Sequence, residues 1–231
     1  MILRAKYIIV FNLLAILLTT YSYISTSAMT TGFDIEQIPT EQAEEFLDNI
    51  NLIYESEEAH HHSIKCFDIS DSGLIAVGID EDIEKHINVY DNNGIFQYGY
   101  SFENQGTYGI EFDKDNLIIY TVRGENAYLI DNKGNCLEVC KINNSLENNS
   151  YWNHNVFAKS KKVGNSKYVL SKAIIFSPSY SKLTKISSDG TEFVIVDVST
   201  DSVIYIIIVI IIAITVISIS IPSVINYFKN N

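Results

Sequence analysis

Cysteine is scarce in this 231-residue chain, which holds only Cys66, Cys136 and Cys140. The odd count and the absence of a Cys-x-x-Cys pair exclude a regular disulfide framework and the usual zinc-ribbon spacing. Cys136 and Cys140 lie in one predicted strand, too far apart to bridge each other. We therefore expect free thiols, with a disulfide between Cys66 and one of the other two as the alternative.

Basic residues are also few, because 16 Lys and Arg stand against 28 Asp and Glu, and the formal net charge is −12. All 28 acidic residues lie between Asp34 and Asp201. This excess of negative charge makes DNA and anionic lipid headgroups poor partners, so we expect no nucleic acid among the ligands. Residues 34–58 hold nine acids and no Lys or Arg, so a cationic partner would favour the front half.

Recognisable catalytic motifs are missing as well. The sequence contains no Gly-x-Ser-x-Gly, no His-Glu-x-x-His and no glycine-rich phosphate loop. We therefore assign no catalytic or cofactor-binding residue and expect no cofactor. Two carboxylates that converge in space leave no such signature, so a surface hydrolase or lyase acting on glycans through loop carboxylates remains an alternative function.

The N-terminal residues have the layout of a secretory signal. Arg4 and Lys6 precede an apolar run over 7–18, and small and hydroxylated residues follow up to Ala28. Residues 1–28 are therefore predicted to be a signal peptide cleaved after Ala28, or an uncleaved signal anchor.

An apolar, uncharged run near the C-terminus predicts a transmembrane helix over 203–225, in contact with the lipid bilayer through 203–221. Lys229 in the short tail 226–231 faces the cytoplasm by the positive-inside rule. These features predict a single-pass cell-membrane protein with its main domain extracytoplasmic. The tail is too short for a signalling domain, so we expect a membrane or surface protein partner.

An acidic segment over 29–62 precedes the main domain and contains a predicted amphipathic helix over 41–55. Pro39 and Thr40 introduce it, and glutamates occupy its first turn, where the helix dipole favours negative charge. Its apolar face consists of Phe46, Leu47, Ile50, Ile53 and Tyr54. We expect this face to cap a β core.

An internal repeat follows, since residues 68–77 align with 111–120 and residues 89–94 align with 129–134. The first two units predict strands at 66–69, 74–79, 86–90, 96–102, 109–112, 117–122, 127–130 and 136–142. A looser third unit predicts strands at 168–170, 183–186 and 192–198, and the residues 143–155 before it are predicted to be a loop.

The predicted fold class is therefore mainly β, with about three four-stranded antiparallel meanders resembling propeller blades, in an open or incomplete propeller. They form a β-repeat domain over 63–200, with units at about 63–104, 105–142 and 155–200. Three units are too few for an ordinary closed ring.

Segments 66–78, 89–91 with Gly94, 96–102 and 116–123 resemble a group of uncharacterised membrane-tethered proteins of Gram-positive bacteria with β-propeller-like blade repeats. The similarity covers most of residues 45–225. It implies an exported β domain with an anchor, and it implies no known activity or site.

The candidate site residues are a histidine cluster, a set of aromatic residues and one arginine. Consecutive His60, His61 and His62 could form a metal patch or a pH-sensitive joint, although a solvated linker explains them as well. Alternating aromatic residues could serve a ligand or sheet packing: Tyr98, Tyr100, Phe102, Tyr108, Tyr120 and Tyr128. Arg123 is predicted to form a buried ion pair. We expect a binding or interaction module, with a glycan hydrolase or a metal or pH sensor as alternatives.

Overall fold

The computed structural model describes residues 29–39, 43, 45–47, 50–60, 63–81, 83–173, 177, 179–200, 203–204, 207–212 and 214–218. The predicted signal over 1–28 lies outside these residues. Within them the chain is mainly β, and its strands form three antiparallel sheets. The sheets are open, and the prediction of a mainly β fold with three antiparallel units is confirmed.

The strands, in chain order, are β1 (Ile35–Gln37), β2 (Ile53–Glu55), β3 (Cys66–Ile69), β4 (Ile75–Glu81), β5 (Glu84–Tyr90), β6 (Phe96–Glu103), β7 (Tyr108–Asp113), β8 (Asn116–Thr121), β9 (Asn126–Ile130), β10 (Cys136–Ile142), β11 (Ser160–Val163), β12 (Ser166–Ser171), β13 (Lys182–Ile186) and β14 (Glu192–Asp197). A short helix α1 (Leu146–Tyr151) and a π-helical turn (Trp152–Val156) join β10 to β11.

Each sheet is a meander of four consecutive strands. The first sheet has the order β2-β6-β5-β4-β3, the second β1-β10-β9-β8-β7 and the third β11-β12-β13-β14. The first two sheets gain a three-residue strand at their outer edge, because β2 pairs with β6 and β1 pairs with β10. These edge strands and β11 were not predicted.

The first sheet lies in the middle of the stack. Alternate residues of a strand point to opposite faces, so Ala76 packs toward the second sheet whereas Ile75 and Val77 pack toward the third. The other face of the second sheet is covered by Phe33 and the π-helical turn. The third sheet therefore packs on the remaining face of the first sheet.

Matching turns join the third and fourth strands of the first two sheets. In the first, Asp91 Oδ1 accepts hydrogen bonds from the backbone N–H groups of Asn93 and Ile95 at 2.8 and 2.9 Å. Asp131 does the same in the second sheet. Gly94 and Gly134 follow with φ of 75° and 86°, which only glycine adopts readily.

The predicted amphipathic helix over 41–55 is shorter in the structure. Residues 43, 45–47 and 50 are helical, and Asn51 has a φ of 45°, a conformation that ends helices. Ile53 and Tyr54 lie in β2 instead, because this segment pairs with the edge of β6. Phe46, Leu47 and Ile50 do pack against the core, as predicted.

The predicted loop over 143–155 contains α1 and the π-helical turn. Ser145 caps α1 by accepting a hydrogen bond from the Asn148 N–H at 3.1 Å. The aromatic ring of Trp152 then packs 4.7 Å from that of Phe33, measured between centroids. Packing of this turn on the second sheet explains why a polar, Asn-rich sequence is ordered here.

The prediction of a transmembrane helix over 203–225 is corrected by the structure. Residues 203–204, 207–212 and 214–218 are helical, and a bilayer span needs about 20 apolar residues. Among the residues described, no helix is long and apolar enough to cross a membrane. The predicted localisation as a single-pass membrane protein is therefore wrong. The predicted tail over 226–231 lies outside the described residues.

The contact between the first and third sheets can be tested at Gly94. A Cβ atom there would lie 3.2 Å from the Ile195 carbonyl oxygen, whereas one at Gly190, whose φ of 85° is similar, would meet nothing within 4 Å. We expect Gly190→Ala to lose about 1 kcal/mol of unfolding free energy from backbone strain. Gly94→Ala should lose clearly more in urea unfolding. Equal losses would show that this turn does not pack on β14.

Candidate functional site

The histidine cluster offers little geometry for a metal. His60 is exposed, and His61 and His62 lie outside the described residues. Across the described part of the chain, no group of three or more His, Cys, Asp or Glu side chains could hold a metal ion. His60 lines a groove of about 270 Å³ beside β14, together with Glu58. The Glu58 carboxylate already accepts a hydrogen bond from the Tyr90 hydroxyl at 2.6 Å.

The predicted aromatic set serves sheet packing. Its members are all buried: Tyr98, Tyr100, Phe102, Tyr108, Tyr120 and Tyr128. The Tyr100 hydroxyl donates to the Asp131 carbonyl at 2.7 Å and so joins the first two sheets. Arg123 is exposed, so the prediction that it forms a buried ion pair is wrong.

None of the three cysteines forms a disulfide in the described part of the chain. Burial raises the pKa of Cys136 to about 11 and that of Cys140 to about 12. A thiolate is the nucleophilic form of cysteine, and catalytic cysteines have lowered pKa values. Cys136 and Cys140 are therefore poor nucleophiles at neutral pH.

Charged side chains from β3, β7 and β11 meet in what we call the central polar cluster. These three strands, which we call the inner strands, lie at the sheet edges opposite β2, β1 and β14. The cluster consists of Asp68 on β3, Glu111 on β7 and Lys161 on β11, with the hydroxyls of Tyr120 and Tyr151. Lys161 Nζ lies 2.8 Å from Asp68 Oδ1, and the two side chains are 14% and 15% exposed. The buried ion pair expected at Arg123 is thus formed by other residues.

Each oxygen of the two carboxylates in this cluster has a donor. Asp68 accepts from Lys161 and, at 2.6 Å, from the backbone N–H of Phe112. Glu111 accepts from the Tyr120 hydroxyl at 2.7 Å and from the Tyr151 hydroxyl at 2.9 Å. Such a cluster holds strands together rather than presenting an open carboxylate to a substrate.

Burial raises the pKa of Glu111, although its tyrosine donors and Lys161 act in the opposite direction. Burial likewise raises the pKa of the Tyr120 hydroxyl, which the neighbouring Glu111 carboxylate raises further. A perturbed carboxyl group is a common mark of functional sites, and structural ion networks produce it too. Here the complete set of donors favours the structural role.

A second feature is a cleft of about 380 Å³ between the ends of the first two sheets, which we call the end cleft. Its buried floor is formed by Thr121, Asn126 and Tyr128, which are 3%, 5% and 2% exposed. Phe46, Ile50 and Ile83 supply apolar walls, and the exposed Glu103 lies at its rim.

The floor of the end cleft contains polar atoms that the protein leaves unsatisfied. Thr121 Oγ1 and Asn126 Oδ1 are buried and have no hydrogen-bond partner within the described structure. The other amide atom of Asn126 is engaged, because Nδ2 donates to the Tyr128 hydroxyl at 3.3 Å. Buried polar groups without partners cost about 1–3 kcal/mol each, so their presence in an open cleft calls for a ligand or water.

Neither the central polar cluster nor the end cleft was predicted. The repeat carried one usable signal, since the alignment of 68–77 with 111–120 places Asp68 over Glu111. Equivalent positions on neighbouring inner strands can meet, and here they do. The end cleft had no such signal, because its residues come from four segments that are distant in sequence.

Comparison with known proteins gives no relative. No protein family model and no curated protein matches the chain. Function is therefore inferred from the geometry of the chain itself.

The Lys161–Asp68 pair is open to a direct test. Replacing Lys161 by Met leaves a largely buried carboxylate without its cation, which costs about 3 kcal/mol or more. The neighbouring Lys162 is exposed and is the matched control. We expect Lys161→Met to lower the unfolding free energy strongly and Lys162→Met to leave it nearly unchanged. In a double-mutant cycle, adding Asp68→Asn should cost less in the Lys161→Met background than in wild type.

The raised pKa of the Glu111 carboxyl group predicts that the stability of the protein depends on pH. Its raised pKa means that the folded protein holds this proton more tightly than the unfolded chain does, so its contribution favours folding in acid. That contribution is lost as the pH rises through the raised pKa. We expect the stability of wild type relative to Glu111→Gln to fall as the pH rises above the ordinary glutamate pKa of about 4.3. A difference that does not change with pH would contradict this assignment, and the exposed Glu147→Gln is measured alongside as the control.

Proposed function

We propose that the protein is a non-catalytic binding module whose ligand site is the end cleft. The observation that carries this proposal is the pair of unpartnered buried polar atoms, Thr121 Oγ1 and Asn126 Oδ1, on the floor of an open cleft. Binding sites typically combine apolar walls with a few polar groups that fix the ligand's orientation. The end cleft has this composition.

The alternative of a glycan hydrolase has one supporting observation, because Asp68 and Glu111 belong to one cluster. Hydrolysis needs an acid and a base or nucleophile that contact the substrate. The oxygens of both carboxylates are instead occupied by donors of the protein itself. This favours binding over chemistry.

We further infer that the three meanders are blade-like repeats of the propeller type in an open arrangement, as in the blade-repeat proteins that the sequence resembles. The shared aspartate and glycine turns of the first two sheets support the repeat. An open arrangement leaves the ends of neighbouring sheets accessible, and the end cleft lies at such an end.

The partner would be a small molecule or an exposed group of another protein. Nucleic acid is a poor candidate, because the chain carries a net charge of −12 and a polyanion would be repelled. The acidic character instead favours a neutral or cationic ligand, and the end cleft is the place where such a group would meet unsatisfied acceptors.

The proposal is tested with a thermal-shift panel of small aromatic and sugar compounds in ammonium, hydroxyl, amide and carboxylate forms. At least one should raise the melting temperature of the full chain, since ligand at about 100 times its Kd adds about 2.7 kcal/mol. Asn126→Leu should abolish the shift, because it removes the unpartnered carbonyl oxygen. It also removes the donor to the Tyr128 hydroxyl, so the shift is measured against the variant's own melting temperature without ligand.

Asn132→Leu, in the exposed turn between β9 and β10, is the control and should keep the shift. Recovery of the stabilising compound unchanged after incubation would agree with binding without turnover. The proposal fails if no compound stabilises the wild-type chain, or if Asn126→Leu retains the full shift.

A further inference from the structure

Resting on the proposed function of the end cleft, we propose that its ligand is an organic cation, an ammonium or guanidinium group carried on an apolar body. The residues that argue for this class are Glu103 at the rim and Thr121 and Asn126 on the floor. The argument combines the charge of the cleft, the kind of polar atom it leaves open and the nature of its walls.

The charged side chain that lines the end cleft is acidic. Glu103 lines the cleft, and among the described residues that line it there is no Lys or Arg. Glu103 on β6 stands directly opposite Glu84 on β5, and both side chains are exposed. Like charges directly opposite each other on neighbouring strands destabilise a sheet. A cation bound at this rim would relieve that repulsion.

Both unpartnered polar atoms on the floor of the cleft can accept a hydrogen bond, and the Thr121 hydroxyl can also donate one. The carbonyl oxygen of Asn126 and the hydroxyl oxygen of Thr121 have no partner among the described atoms. Two nearby side-chain amides donate within the protein, since Asn104 Nδ2 donates to the Gly106 carbonyl at 3.0 Å and Asn126 Nδ2 donates to the Tyr128 hydroxyl. An ammonium group carries three donors and no acceptor, so it can supply a donor to both unpartnered oxygens.

The walls fit the apolar body of such a ligand. Phe46 and Ile50 line the cleft, and Tyr128 forms part of its floor. Aromatic rings attract cations in addition to burying apolar surface. The cleft volume of about 380 Å³ is at the lower end of the range for small-molecule sites, so the ligand would be small.

An anionic or sugar ligand fits less well. A carboxylate would meet Glu103, and among the described residues that line the cleft there is no Lys or Arg to balance it. A neutral sugar hydroxyl could donate to the unpartnered oxygens but would gain nothing from the charge of Glu103. The binding of a matched series separates these classes: benzylammonium, benzyl alcohol and phenylacetate share a ring and differ in charge.

We expect the full chain to bind benzylammonium most tightly in isothermal calorimetry. Glu103→Gln should weaken benzylammonium binding by about threefold or more and leave benzyl alcohol unchanged, since rim charges contribute modestly. The exposed Glu192→Gln on β14 is the control and should bind like wild type. Raised salt should weaken benzylammonium binding only where Glu103 is present.

The outcomes separate this inference from the proposed function. If benzyl alcohol or phenylacetate binds as tightly as benzylammonium and Asn126→Leu abolishes that binding, the cation class is wrong and the cleft remains a binding site. If benzylammonium binds best but Glu103→Gln does not weaken its binding, the assignment of Glu103 as the charge that attracts the cation is wrong. If no member of the series binds and the wider panel gives no shift, both proposals fall.

Discussion

The two apolar faces of the first sheet need cover from opposite sides, and this requirement determines where the other sheets lie. Its strand β4, which pairs on both sides, is buried at Ile75, Ala76, Val77 and Ile79, so neither face can remain in water. The hydrophobic effect stabilises such burial at roughly 25 cal/mol per Å² of apolar surface. The second sheet covers one face and the third covers the other. The third sheet is free to do so because α1 and the π-helical turn already cover the far face of the second.

This stacking brings the three inner strands close together at the central polar cluster. β3, β7 and β11 each contribute a charged side chain to the central polar cluster. Removing charge from water is costly unless each charged group is paired and hydrogen-bonded. The donors from Lys161, Tyr120 and Tyr151 meet this need. The cluster therefore joins the three sheets with its own carboxylates satisfied, whereas the end cleft contains two polar atoms without a partner among the described atoms.

The sequence predicted the strands of the first two sheets closely, because long alternating segments between Asn-Gly turns are a strong local signal. Strands β1 and β2 were missed because they are three residues long and exist through pairing with a distant edge. Strand β11 was missed because Ser160–Val163 has two lysines and no clear alternation. The order of the sheets was also beyond the sequence, since it depends on which face α1 covers.

The central polar cluster and the end cleft also differ in how far the sequence could predict them. Asp68 and Glu111 could have been paired from the repeat, because matching positions on adjacent inner strands face a shared seam. Thr121 and Asn126 pair with each other on the β8–β9 hairpin, and Thr121 Oγ1 and Asn126 Oδ1 have no partner among the described atoms, while Glu103 lies on β6 of the other sheet. The fold thus satisfies both carboxylates of the central polar cluster and leaves an amide oxygen on the floor of the end cleft without a partner. That asymmetry favours recognition at the end cleft over chemistry at the centre.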